Sequence, residues 1–363
     1  MLCGIYASQM MTVSAPVPLP PWAPDGTIGI PITTDRFEEY YSHGGNTVIS
    51  GGVATVTRTE PASGFGATYS TLRAVGSWDD VINGTLVVAY RVYNIDVAEH
   101  GVRTTPQTGG GRNGYEPFGE DAYAISFQTS TESGTDATHV SAGEVLDSTS
   151  LNLNIGFLFS KSFQNGQITF VGIVPFPNVG ATIYSRDWAD GLLTGQTLYG
   201  SSSPAQSVVS GRMRISSNAL TDAKSRLTAI ADLADFDLTF VAYPTTGGDV
   251  GVVYRTAYWG NANDTFAYYV GVTTTDVSIG LGSNSSSPAY TPLRSVVKTT
   301  ASGNPVTIRL QVKDTLHKVW INGTLKMCVV DTTHTAAGGF GVRRYSATSG
   351  FGELDDFELK AIS

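Results

Sequence analysis

Three carboxylates near residue 355 have the spacing best suited to chemistry: Glu353, Asp355 and Glu358 in the run Glu353-Leu-Asp355-Asp-Phe-Glu358. Retaining hydrolysis of a glycosidic bond needs two carboxyl groups about 5–5.5 Å apart, one as nucleophile and one as acid and base. Side chains alternate along a strand, so in a regular strand Glu353 and Asp355 share a face and Glu358 lies on the other. Only a bulge brings Glu358 round. Phe357 and Leu359 read as core contacts of an ordinary closing strand. No residue is assigned a catalytic role, and the protein is expected to be non-catalytic.

No stronger constellation exists. His43, His100, His139, His317 and His334 are scattered, without the i, i+4 spacing of a metal-binding pair. No Gly-x-Ser-x-Gly elbow is present. The run Gly109-Gly-Gly-Arg112-Asn113-Gly114 resembles a phosphate loop in composition, but it has no Lys-Ser/Thr ending and opens no helix. Cys3 and Cys328 make neither a zinc site nor a disulfide framework. No cofactor is expected; a calcium ion would have to draw on Asp235, Asp237, Asp264 and Asp355.

Two loops carry the groups that hold sugars. Tyr258-Trp259-Gly-Asn261-Ala-Asn263-Asp264 combines aromatic faces, on which a pyranose stacks, with amides and a carboxylate for its hydroxyls. The stretch from Glu99 to Glu120 carries His100, Arg103, Arg112, Asn113 and Tyr115. A connection of that length in a compact domain is usually functional or mobile. The plainer readings are edge packing for Tyr258 and Trp259, and turn positions for Asn263 and Asp264.

Strands must position these groups. Val306, Ile308, Leu310 and Val312 alternate with Thr307, Arg309, Gln311 and Lys313, the period of a half-buried strand. Lys318–Ile321 and Thr324–Met327 flank Asn322-Gly323, which predicts a type I′ hairpin with Trp320 opposite Leu325. Phe236–Tyr243, Val250–Arg255, Phe266–Thr273, Val277–Leu281, Gly339–Tyr345 and Leu354–Ala361 follow the same grammar. Ala219–Leu233, the nearest approach to a helical period, is read as strand and loop.

Only 15% of residues are charged and the net charge is −9, which argues against nucleic acid. No apolar run reaches the ~18–20 residues of a membrane span. Met1 to Pro20 has no basic start, so no signal peptide is expected. Residues 1–30 form a Pro-rich arm through Pro16-Val-Pro-Leu-Pro-Pro-Trp22, expected to lie on its own domain or on a neighbouring subunit.

The fold class that follows is all-β: tandem antiparallel sandwiches over 31–180 and 185–363, the first divergent. A partial repeat supports the pairing. Asp35-Arg-Phe37 with Val48-Ile-Ser-Gly51 parallels Arg186-Asp-Trp188 with Val208-Val-Ser-Gly211. Leu86-Val-Val-Ala-Tyr90 parallels Thr239-Phe-Val-Ala-Tyr243, and Ala122–Ser126 loosely parallels Thr265–Tyr269. The first unit lacks a counterpart of the Asn322-Gly323 hairpin.

The order of runs Asp235–Tyr243, Gly251–Arg255, Phe266–Val270, Ile308–Val312, Trp320–Gly323, Gly339–Val342 and Asp355–Leu359 resembles the concanavalin-like lectin and laminin-G jelly-roll superfamily, over about 185–363. That resemblance implies a fold shared by lectins, glycosidases and inert spacers. The carboxylate spacing is similar to that of laminarinase-type glycosidases, whose motif sits mid-domain in a cleft; here five residues follow it. The light charge, tandem sandwiches and arm together resemble a bacteriophage minor tail protein. This implies a multicopy or homo-oligomeric virion component. It would dock to other tail proteins through its arm and first domain and touch host surface glycans, without nucleic acid or membrane insertion. The alternatives are a carbohydrate-active enzyme or its accessory module, and a secreted bacterial lectin.

Overall fold

A computed structural model describes residues 16–42, 45–58, 68–74, 84–93, 99–106, 127–129, 137–145, 153–159, 165–200, 205–217, 221–257, 259, 267–283, 289–346 and 350–363. Among them there is no helix, so none long and apolar enough to cross a membrane. The first unit runs through β1 (Ile28–Ile30), β2 (Phe37–Ser42), β3 (Gly45–Ser50), β4 (Val53–Arg58), β5 (Thr68–Ala74), β6 (Gly84–Tyr93), β7 (Glu99–Pro106), β8 (Phe127–Thr129), β9 (Ala137–Val145), β10 (Leu153–Phe159) and β11 (Asn165–Pro175). The second runs through β12 (Val179–Arg186), β13 (Gln196–Gly200), β14 (Ala205–Val209), β15 (Arg212–Ser217), β16 (Thr221–Leu227), β17 (Phe236–Tyr243), β18 (Gly248–Thr256), β19 (Tyr268–Val272), β20 (Asp276–Ser283), β21 (Ala289–Val297), β22 (Val306–Lys313), β23 (Leu316–Ile321), β24 (Thr324–Val330), β25 (Gly339–Ser346) and β26 (Gly350–Ile362).

The two units share one strand order. In the first, one sheet reads β3-β4-β11-β6-β9 with β1 beside β11, and the other β2-β5-β10-β7-β8. In the second they read β14-β15-β26-β17-β22-β23-β24 with β12 beside β26, and β13-β16-β25-β18-β19-β20-β21. Among the described residues the second repeats the first strand for strand and has β20–β21 in one sheet and the β23–β24 hairpin in the other besides. All pairings among the described residues are antiparallel, as local hairpins and jelly-roll returns allow. Gly51 and Gly211 turn matching hairpins with φ of +60° and +77°; Phe37 and Trp188 are both fully buried, but Phe37 opens β2 whereas Trp188 lies in the connection before β13. The Ala122–Ser126 parallel lies outside the described residues.

Alternation dictates which side of each strand is buried. The core of the second unit is closed by Phe236, Leu238 and Phe240 from β17, Val306, Ile308 and Leu310 from β22, and Val250, Val252 and Tyr254 from β18 on the facing sheet. Asn322 and Gly323 take φ of +50° and +82°, as a type I′ turn requires, and Trp320 faces Leu325. Ala219–Leu233 contains β16 followed by a turn. The Pro-rich segment from Pro16 turns back on its own chain: Val17 and Trp22 pack where the two units meet.

Candidate functional site

The seven-stranded sheet presents one face to the core and the other outward, and the outward positions gather the groups most suited to a ligand. On β13 this row holds Tyr199; on β16, Lys224 and Arg226; on β25, Gly339, Gly341, Arg343 and Tyr345; on β18, Asp249 and Val253; on β19, Tyr269. Trp259, beyond the end of β18, lies across them. A methyl group on Gly341 would come 2.5 Å from the indole and one on Gly339 2.9 Å from its Nε1, so two bare backbone positions form the bed of the ring. Val253, Ala267 and Tyr269 complete the support. Tyr199 sits beside it, ring centroids 5.9 Å apart, and the Arg226 guanidinium lies 5.5 Å from the ring centre. The indole is half-buried, and its Nε1 is buried without a hydrogen-bond partner.

A second aromatic–cation group lies on the same face of the sheet, but Arg343, Tyr269 and Lys224 are buried there. The buried Arg343 guanidinium lies 4.4 Å from the Tyr269 ring centre and 5.5 Å from that of Tyr345. Its Nη1 is 3.2 Å from Asp249 Oδ2, and Asp249 Oδ1 accepts the Tyr345 N–H at 3.0 Å. Lys224 stands directly opposite Arg343 in register. Burial pushes the Tyr269 hydroxyl up to about 12, against the opposing pull of Arg343, so it is an un-ionised phenol at neutral pH.

The three carboxylates depart from the regular-strand expectation. A bulge at Asp355-Asp356, where Asp356 has φ +49°, sets Glu353, Asp355 and Glu358 opposite Tyr243, Val241 and Thr239. All three therefore share the outer face of the eight-stranded sheet, and the placing of Glu358 on the opposite face is corrected. They do not form an open pair. Glu353 Oε1 accepts from Arg214 Nε and Nη2 at 2.9 and 2.6 Å, and Oε2 from Arg212 at 3.5 Å. Glu358 accepts from Thr182 at 2.8 Å and meets Lys360 at 3.0 Å, and these hydrogen bonds hold its carboxyl below the usual range. Burial, with the Asp356 charge, raises the Asp355 carboxyl.

The carboxylates proposed for calcium are likewise engaged by cations. Asp237 binds Arg309 through both oxygens, at 3.0 and 2.7 Å, and accepts from Gln311 at 2.7 Å. Asp235 meets Lys313 at 3.0 Å, the Asp314 N–H at 2.7 Å and Arg255 at 3.4 Å. The fully buried Arg255 also donates to the carbonyls of Ala234, His334 and Asp314 at 2.9, 2.9 and 2.7 Å. Four oxygens thus converge on a guanidinium, as they would on a metal ion. No group of three or more His, Cys, Asp or Glu side chains is set to hold a metal among the described residues. Asp264 lies outside them.

Of the residues proposed for ligand contact, the structure describes Trp259, and the backbone of His100 and Arg103, which stand on β7 where a loop was expected. Tyr258, Asn261, Asn263, Asp264, Arg112, Asn113 and Tyr115 lie outside the described residues. Tyr199, Arg226, Tyr269 and Arg343 escaped the sequence reading because each is a single outward residue on a strand; alternation marks such positions only after the sheets are assigned.

No protein-family model matches the chain, and no curated protein matches it. Among solved structures, the carbohydrate-binding module CBM66 from Bacillus subtilis is 14% identical, over 46% of this chain and 96% of that one, with a TM-score of 0.39. The Emp47p carbohydrate recognition domain is 17% identical, over 49% of this chain and 95% of that one, with a TM-score of 0.37. A Bacillus subtilis protein of unknown function with a galectin-like fold is 12% identical, over 52% and 99%, with a TM-score of 0.41.

Proposed function

We propose that this chain is a non-catalytic glycan-binding protein and that the sugar lies on the outer face of the seven-stranded sheet, across Trp259. The observation that carries the reading is the half-buried indole bedded on Gly339 and Gly341, with Tyr199 and the Arg226 guanidinium beside it. An apolar sugar face stacks on such a ring, and the guanidinium supplies donors to ring oxygen or hydroxyls. The non-catalytic part rests on Glu353: three donors from Arg212 and Arg214 already occupy the carboxylate that a retaining mechanism would use.

The setting we favour is a virion tail. Two sandwiches of one strand order in series, lightly charged, suit a repeated structural component whose weak sugar contacts gain from many copies. In that reading other tail proteins are its partners and the particle its location.

The test is a glycan array probed with the full chain, followed by titration of whichever sugar binds. Trp259→Ala is expected to weaken binding by about tenfold or more, roughly 1.4 kcal/mol, and Arg226→Ala by less, with melting temperatures close to wild type. Unchanged affinity in Trp259→Ala removes the site; a chain that binds no glycan removes the function.

A further inference from the structure

The β23–β24 hairpin, which has no counterpart among the described residues of the first unit, faces two ways. Val319, Ile321 and Met327 enter the core of the second unit. Leu316, Leu325, Cys328 and Val330, on the alternate positions, join Val87 and Ala89 of β6 and Phe170 and Val174 of β11 in a separate apolar cluster. The outward side of the hairpin is therefore a docking surface for the first unit.

The N-terminal segment fills the same cluster. Val17 and Trp22 pack into it, and Trp22 meets Phe170 edge-on with ring centroids 5.5 Å apart. Gly29 leaves room for Val17, since a methyl group there would come within 2.7 Å of its Cβ. Two hydrogen bonds tie the segment to the β22–β23 turn: the Asp25 N–H donates to Asp314 Oδ2 at 2.9 Å, and the Thr315 hydroxyl donates to the Trp22 carbonyl at 3.1 Å. That turn is itself held by Arg255 through the Asp314 carbonyl. Three residues after Asp25 the chain enters β1, paired with β11 of the first unit. The segment thus grips both units at once.

We infer that Pro16–Asp25 is a strap that locks the two sandwiches into one rigid body, with the β23–β24 hairpin as its docking piece. Prolines at 16, 18, 20, 21 and 24 suit the task. Two of them open turns, closed by the Ala23 N–H on the Pro20 carbonyl at 2.9 Å and the Thr27 N–H on the Pro24 carbonyl at 3.1 Å; their fixed φ reduces the entropy lost on docking. A connection between two domains without such a cover permits relative motion by default. Here Trp22 and the hairpin remove that freedom, so the ligand face of the second unit has a fixed direction relative to the first.

The experiment compares the full wild-type chain with Trp22→Ala/Leu325→Asp by calorimetry and small-angle scattering. Wild type is expected to unfold in one transition with a single compact envelope; the double variant splits into two transitions and gains maximum dimension. Two independent transitions in wild type, or a variant with one transition and an unchanged envelope, overturn the inference. Hydrogen exchange on the wild-type chain tests it without any substitution. The Asp25 amide should exchange at least about 100-fold more slowly than an unprotected amide, and free exchange there overturns the strap equally.

Discussion

At the scale of single residues, the sandwich interior contains an ionisable group kept neutral by its surroundings. His317 is fully buried on β23; Tyr254 Oη lies 2.9 Å from its Nδ1, and Nε2 has no hydrogen-bond partner. Burial, reinforced by the nearby Arg255 charge and opposed by Asp331, lowers its pKa from 6.5 to about 3. The folded protein therefore binds fewer protons than the unfolded chain between those values. Stability from this group is complete above pH 6.5 and declines as pH falls toward 3, by on the order of 1.4 kcal/mol per unit. His334 is shifted in the same direction by burial and adds to the slope. Asp331 is held low by hydrogen bonds from Tyr268 and Thr333 that outweigh its burial, so its contribution is complete above the usual carboxylate value and is lost as pH falls through that value toward the lowered one. Urea midpoints measured from pH 7 to pH 4 should fall steadily in wild type and less steeply in His317→Asn. Parallel slopes would show that His317 is not the group being charged.

Among the secondary-structure elements, what could be read in advance depended on whether a local rule was enough. The β23–β24 hairpin was legible because Asn322-Gly323 specifies its own turn: both residues sit at positive φ, and the predicted Trp320–Leu325 pairing is the observed one. Gly323→Ala should then cost about 1 kcal/mol or more, lowering the melting temperature of a unit this size by about 2–4 °C. Pro at the same position should cost more; no change on Gly323→Ala would mean that the turn can relax to another type. β21 was not legible. Pro292 interrupts it, and it is tolerated because β21 is the terminal strand of its sheet. The bulge in β26 was equally hidden, since Asp355-Asp356 has no glycine to mark a residue at positive φ. It was this bulge that moved Glu358 to the unexpected face. For the candidate site, the aromatic loop was visible in sequence as Tyr258-Trp259, but its bed was not. Gly339 and Gly341 matter only because β25 passes beneath the indole, a long-range fact that no local pattern contains.

Across the whole molecule, one strand order is used twice. Among the described residues the first unit's sheet ends at β9, whereas in the second the corresponding β22 is followed by β23 and β24. That hairpin covers the second unit's own core and, on its reverse side, presents Leu316, Leu325 and Val330 to the first unit and the Pro-rich segment. A chain comprising residues 176–363 alone would turn those side chains to water as one contiguous apolar patch, which soluble monomers rarely tolerate. Its fold should survive, because the Asn178 and Ser363 backbones exchange hydrogen bonds at 3.1 Å and close the unit on itself. Light scattering after gel filtration is therefore expected to find residues 176–363 self-associating. The same fragment carrying Leu325→Asp and Val330→Lys should elute as a monomer with its glycan affinity intact, because Trp259 and Arg226 belong to the opposite sheet. A fragment that is monomeric without the substitutions would mean that the first unit and the strap cover nothing the second unit needs covered. The two sandwiches would then be neighbours in sequence, and their shared strand order a matter of descent alone.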